Sequence, residues 1–316
     1  MREIEVCPRL MDALSEVLRL ARFGANVTLD ATAHEPWCVS VSASESLMRA
    51  HLVVDGECDL RAEGDEATLR AGDLAFLPHG DAHLIGSPLA APAVSLQSLV
   101  KPTVAGELLP LQIGRSGRTT RWISLTLSCE RHLARPLLDA LPRLVVSDVS
   151  GAPAVEWLTD SLGLMLSSSD APYLGATATR ARLAELVFVE ALARYIQSTP
   201  GGTGWLAGLN DRFVGRALAL VHGRPSEPWT VEKLGRQVGL SRSALAERFG
   251  QVMGEPIFAF LTRWRLHMAA EFVLTTARPI ASIAHAAGYE SAGAFSAAFK
   301  REFGKPPSIW RRRRRR

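Results

Sequence analysis

The sequence predicts an α+β chain: a β-barrel, then a helical segment, then an all-α double helix-turn-helix domain. Three observations carry this. Short strand-like runs between Gly, Asp and Pro turns fill Val27 to about Leu127. Helical periodicity takes over from Leu133 to Leu209. Near the C-terminus, a helix–glycine–serine–helix pattern occurs twice.

The first 23 residues contain acids and have no uninterrupted apolar run, so they do not read as a signal peptide. Met11, Leu14, Val17 and Leu18 instead form an amphipathic stripe. No stretch approaches the roughly 18 apolar residues of a membrane span, so the chain is expected in the cytoplasm, associated with the nucleoid. Runs such as WCVSVS, HLVVDG, CDLRA, ATLRA and LAFLP suggest a barrel or jelly roll. Three helices are then expected, in LARPLLDALPRLVV, AVEWLTDSLGLMLSS and ATRARLAELVFVEALARYIQ. The last is apolar on nearly all sides and must be buried, in a bundle or against a second subunit. Thr199 to Leu209 has the glycine density of a hinge. LNDRFVGRALALVHGRP follows as the first helix of the C-terminal domain. The division is then 1–130 for the barrel, 131–208 for the helical dimerisation segment, 209–310 for the double helix-turn-helix and 311–316 for a basic tail.

In the first repeat, VEKLGRQVGLSRSALAERF, Val231, Leu234 and Val238 pack one face, Gly239 turns the chain and Ser241 caps. Leu245 and Phe249, four apart, share the buried side of the next helix. In the second, IASIAHAAGYESAGAFSAAFKREF, Gly288, Ser291, Phe295 and Phe299 take the same roles. The turn glycines are 49 residues apart. PIFAFLTRWRLHMAAEFVL between them reads as a helix about 28 Å long, able to hold two reading helices roughly 34 Å apart, one turn of B-DNA. Charge agrees: Pro225–Arg316 holds 16 Lys/Arg against 7 Glu, a net +9 within a chain of net +4. A basic module on an acidic body fits a polyanionic partner.

These repeats, the linking helix and IAHAAGYESAGAFSAAFKREFGKPPSIWR resemble the AraC/XylS family of bacterial transcription regulators. The resemblance covers about the last ninety residues. It implies a DNA reader that enters two successive major grooves. With Leu245 and Phe249 inward, Ser243, Ala246 and Glu247 face the groove and Arg242 flanks it, beside the cap Ser241. With Phe295 and Phe299 inward, Gly293, Ser296, Ala297 and Lys300 are exposed, with Ser291 and Arg301 at the helix ends. The resemblance places the family's base-reading positions on these faces.

GDLAFLPHGDAH, Gly72 to His83, resembles the second cupin motif and the sensor domains fused to such regulators. The first cupin motif departs from the pattern. SESLMRAHLVVDG offers only His51, with Glu45 upstream, where metal-binding cupins supply a His-x-His pair and a Glu. A metal needs three or more converging ligands, so no metal, cofactor or catalytic residue is expected. His51, His79 and His83 are the candidates for an effector pocket. Cys7, Cys38, Cys58 and Cys129 form no CxxC pair and read as reduced, mostly buried thiols. The reading is a DNA-binding regulator or activator controlled by a small molecule. The resemblance further implies a homodimer, with RNA polymerase as a further contact. The alternatives are a cupin-type metalloenzyme, a cysteine-based redox regulator and a DNA-binding protein without an effector.

Overall fold

The computed structural model describes residues 12–100, 109–151, 175–199, 202–224 and 227–312, with scattered positions between 153 and 163. They form two compact units. Residues 22–130 and 138–199 make the sensor unit, and 12–21, 131–137 and 202–312 make the reader unit.

Among its described residues the sensor unit holds eleven strands: β1 (Gly24–His34), β2 (Trp37–Val41), β3 (Met48–Asp55), β4 (Glu57–Ala62), β5 (Asp65–Arg70), β6 (Asp73–Leu77), β7 (His83–Ser87), β8 (Ala93–Ser95), β9 (Leu109–Ile113), β10 (Thr119–Ser128) and β11 (Val145–Asp148). They form a six-stranded sheet, β11-β6-β3-β10-β1-β9, and a five-stranded sheet, β5-β4-β7-β2-β8. Trp37 of the smaller sheet stacks on Trp122 of the larger, with ring centroids 4.6 Å apart. Around them Leu29, Leu60, Leu69 and Ile85 close one apolar core. The alternation in β4, where Cys58, Leu60 and Ala62 point inward, is the period of two that the sequence shows.

Two expectations are corrected. The stretch ending in LPRLVV is not one helix. A helix covers only Arg131–Leu138, and Val145–Asp148 is β11, paired antiparallel with β6. Pro142 has no N–H to continue a helix, and the β-branched pair Val145-Val146 fits a sheet edge. Within the expected hinge, Trp205–Asn210 is helical and Trp205 is buried. Gly208 serves contact rather than flexibility, because a β-carbon there would strike the sulfur of Met253. The helix expected in AVEWLTDSLGLMLSS falls largely outside the described residues.

The helices are α1 (Ala13–Leu20), α2 (Leu96–Leu99), α3 (Arg131–Leu138), α4 (Ala176–Ser198), α5 (Trp205–Asn210), α6 (Arg212–Gly223), α7 (Val231–Val238), α8 (Arg242–Met253), α9 (Ile257–Thr275), α10 (Ile280–Ala286), α11 (Ala292–Phe303) and α12 (Pro307–Arg312). α4 lays Leu183, Val187, Phe188 and Ile196 inward within the sensor unit, and Phe188 meets Phe76 edge to face. Its apolar surface is therefore largely covered by its own sheet, while Leu186 stays exposed.

In the reader unit, Asp211 caps α6 by accepting from the N–H groups of Phe213 and Val214, both at 2.9 Å. The same carboxylate binds Arg248 of α8, which holds it below the usual carboxylate range against the opposing cost of burial. The amphipathic α1 packs on α6 through Ala13, Val17 and Leu18. α3 also joins this unit: the His132 carbonyl accepts from His267 of α9, whose other ring nitrogen meets Glu302 of α11. Among the described residues, no helix is long and apolar enough to cross a membrane.

Candidate nucleic-acid interface

Both helix-turn-helix units are built from the same local rules. α7 starts at Thr230, whose hydroxyl accepts from the Lys233 N–H, and ends at Gly239 with φ of 81°. α10 ends before Gly288, φ 83°. This left-handed conformation costs glycine nothing. The turn bond also repeats: Leu240 N–H donates to Gly235 and Tyr289 N–H to Ala284, at 2.9 and 3.0 Å. Gly235 had no assigned role in the sequence. A β-carbon there would lie 2.8 Å from the Leu240 carbonyl oxygen, so the first turn needs it. The second turn is one residue longer, since Ser241 follows Gly239 by two and Ser291 follows Gly288 by three.

Each serine caps its reading helix. Ser241 Oγ accepts from the Ala244 N–H and Ser291 Oγ from the Ala294 N–H, both at 3.1 Å. These hydroxyls therefore set the helix start, and each keeps an O–H to donate. Ser291→Ala is expected to cost about 0.5–2 kcal/mol, read by thermal or denaturant unfolding.

Leu245, Phe249, Phe295 and Phe299 are fully buried, as the reading faces require. Opposite them, Ser241, Arg242, Ser243 and Glu247 are exposed and Ala246 is half-buried. On α11, Ser291, Gly293, Ala297, Lys300 and Arg301 are exposed and Ser296 is half-buried. Arg242 is drawn to Glu232 of α7, Nε to Oε1 2.9 Å. Among the described residues Glu247 meets no cation; its Oε1 accepts from Gln251 at 3.2 Å. Among the described residues, neither Lys300 nor Arg301 has a carboxylate within ion-pair distance, so both charges are available.

In the sensor unit, His51 of β3 and His83 of β7 face each other across the two sheets. Their Nε2 atoms are 2.8 Å apart. Gly80 makes this possible: at φ 74° its missing side chain avoids the carbonyl oxygens of Ser44 and Leu47 as the chain turns into β7. The Asp81 carbonyl can only accept, so His83 donates to it from Nδ1, at 2.9 Å. His83 Nε2 is then the acceptor, His51 Nε2–H the donor, and His51 Nδ1 accepts from the Ser124 hydroxyl, at 2.9 Å. Burial lowers the pKa of both rings, most for His51, and nearby Arg49 adds to it. His79 does not join them. Its ring turns to the Leu141 carbonyl, at 3.4 Å. His34 pairs with Thr119 instead. Among the described residues, no third His, Cys, Asp or Glu joins His51 and His83, so the pair falls short of a metal site. Cys38 and Cys58 are buried, and burial pushes the Cys58 thiol up to about 12.

A cupin family matches residues 12–197, and a helix-turn-helix domain family matches residues 234–313. A putative AraC-like transcription regulator of Streptomyces antibioticus is 31% identical over 96% of this chain and 99% of its own. The chain belongs to the AraC family of transcription regulators. Two further relatives align along most of their length. The HTH-type transcriptional regulator AlkR of Acinetobacter baylyi is 27% identical over 95% of this chain and 99% of its own. The RCS-specific HTH-type transcriptional activator RclR of Escherichia coli is 26% identical over 96% and 98%. An AraC-family chain with a cupin domain is a DNA-binding regulator, not a cupin enzyme, and its helix-turn-helix domain is the DNA-binding part.

Proposed function

We propose that this cytoplasmic regulator reads its operator with α8 and α11 in two successive major grooves, under control of a small molecule bound in the barrel at His51 and His83. The repeated pair of capped, outward-facing reading helices carries this reading. The two faces divide the work. Glu247 can accept from a cytosine amino group and Ser243 can bond either way, whereas Gly293 and Ala297 offer at most contact with a thymine methyl. The first unit then carries most of the sequence preference, and Lys300 and Arg301 supply phosphate affinity. Leu186, exposed on α4, supports a homodimer through that helix.

Glu247→Ala is expected to cost about 1–3 kcal/mol on the preferred operator and to relax one base pair of its preference. Lys300→Ala should weaken all sequences alike and flatten the salt dependence. A base-by-base operator scan at fixed salt checks both. An unchanged preference in Glu247→Ala with a changed one in Lys300→Ala would reverse the assignment.

The raised, buried thiols speak against control through Cys38 or Cys58, because the thiolate is the reactive form. Replacing both by alanine should leave effector response intact in protein that still folds. A reporter assay with and without inducer measures it, and loss of response would favour a thiol switch.

A further inference from the structure

The reader unit holds a cleft that no residue of the reading helices α8 and α11 lines. It is about 530 Å³, within the range of small-molecule sites, and lies where α9, α10 and the segment entering α7 meet. Met268 and Phe272 of α9 and Ile283 of α10 give it an apolar wall. Glu227, Arg265 and Arg278 bring charge to it.

The charges do not cancel. Glu227 is already bound by Lys233, which also lies over the Trp229 ring. Among the described residues, neither Arg265 nor Arg278 has a carboxylate within ion-pair distance. Both are nonetheless positioned. Arg265 donates from Nη2 to the Trp229 carbonyl at 2.9 Å, and its Nη1 passes 3.7 Å from where a side chain on Gly288 would begin. The Arg278 guanidinium sits 6.0 Å above the Phe272 ring. Two held guanidiniums beside an apolar wall match a ligand with an anionic head and a hydrocarbon body. A bare phosphodiester would satisfy the arginines and leave Met268, Phe272 and Ile283 unused.

We propose that this cleft binds a small amphipathic carboxylate, its head between Arg265 and Arg278 and its apolar part on Met268, Phe272 and Ile283. The site is independent of the barrel. Its occupant would touch the entry to the first helix-turn-helix, the linking helix and the first helix of the second unit.

Calorimetric titration of the full-length protein with octanoate tests this, with 1-octanol and inorganic phosphate as controls. Saturable binding of octanoate is expected, at least tenfold tighter than 1-octanol and not displaced by equimolar phosphate. The double variant Arg265→Ala/Arg278→Ala should bind at least tenfold more weakly. Ala286→Trp, which keeps both arginines and fills the cleft from α10, should do the same. His51→Ala should leave octanoate binding unchanged, which separates this site from the barrel. If the double variant loses its fold by circular dichroism, Ala286→Trp alone decides. Absence of octanoate binding, or equal binding by Ala286→Trp, overturns the proposal. So does displacement by phosphate, which would make the cleft a contact for the DNA backbone.

Discussion

Phe299→Ala is expected to destabilise the second helix-turn-helix strongly and to weaken operator binding. The ring is completely buried on α11, with centroids 4.5 Å from Phe303, 5.5 Å from Phe295 and 5.9 Å from Trp310. Removing a buried phenyl group costs about 3–5 kcal/mol, from lost transfer energy plus the cavity left behind. A domain has only about 5–15 kcal/mol in total, so the loss is a large share. Phe299→Leu keeps more of the buried volume and should fall between. Denaturant unfolding and operator binding, measured on the same samples, check the order. Lys300→Ala, one residue on and exposed, should weaken binding without moving the unfolding midpoint. A Phe299→Ala protein that unfolds like the parent would mean that the aromatic cluster does not support this unit.

Acid should destabilise the protein, and His222 should account for a large part of it. This ring lies at the centre of the reader core, 4.2 Å from Trp264 and near Phe260 and Trp205. Neither ring nitrogen has a hydrogen-bond partner among the described residues. Burial pushes its pKa from the usual 6.5 down to about 3. The unfolded chain therefore takes up a proton near pH 6.5 that the folded chain refuses. Stability from this group is complete above 6.5 and lost as pH falls towards 3. Between pH 7 and 5 the loss is about 2 kcal/mol. His51, His83 and His267 are lowered as well and add in the same direction. The check is a difference: His222→Leu should lose stability more slowly than the parent over pH 7 to 5. Parallel curves would assign the acid sensitivity elsewhere.

What the chain reveals before folding depends on how local the cause is. The reading helices follow from residues within four positions of one another. Gly239, Ser241, Leu245 and Phe249 sit where the local pattern puts them, as do their counterparts around Gly288. The barrel strands were also legible, because alternation and turn residues are local. β11 was not, since its pairing with β6 is a long-range match and the preceding helix masked it. The histidines show the same limit. His79 and His83 flank one turn and look alike in sequence. Only the register of β7 against β2 and β4 decides that His83 enters the core to meet His51. The roles of Arg265 and Arg278 need α9 and α10 folded together, so no motif could announce them. The attachment of α1 to the reader unit had a weak local sign, the amphipathic stripe, but nothing to say which surface it covers.

That attachment has a temporal side. Synthesis delivers α1 before the sensor strands, yet the helix it packs on, Arg212–Gly223, begins about 190 residues later. At roughly 5–20 residues per second, α1 leaves the ribosome about 10–40 s before its partner. Its apolar stripe, Ala13, Val17 and Leu18, has no permanent cover in that interval. The sensor strands, all made between the two, can pair among themselves meanwhile. The order of events is then set by topology: the sensor can close first, and the reader is completed only when α1 and α6 are both available. A helix made before the sensor thus acts as a late-fitted part of the reader made after it.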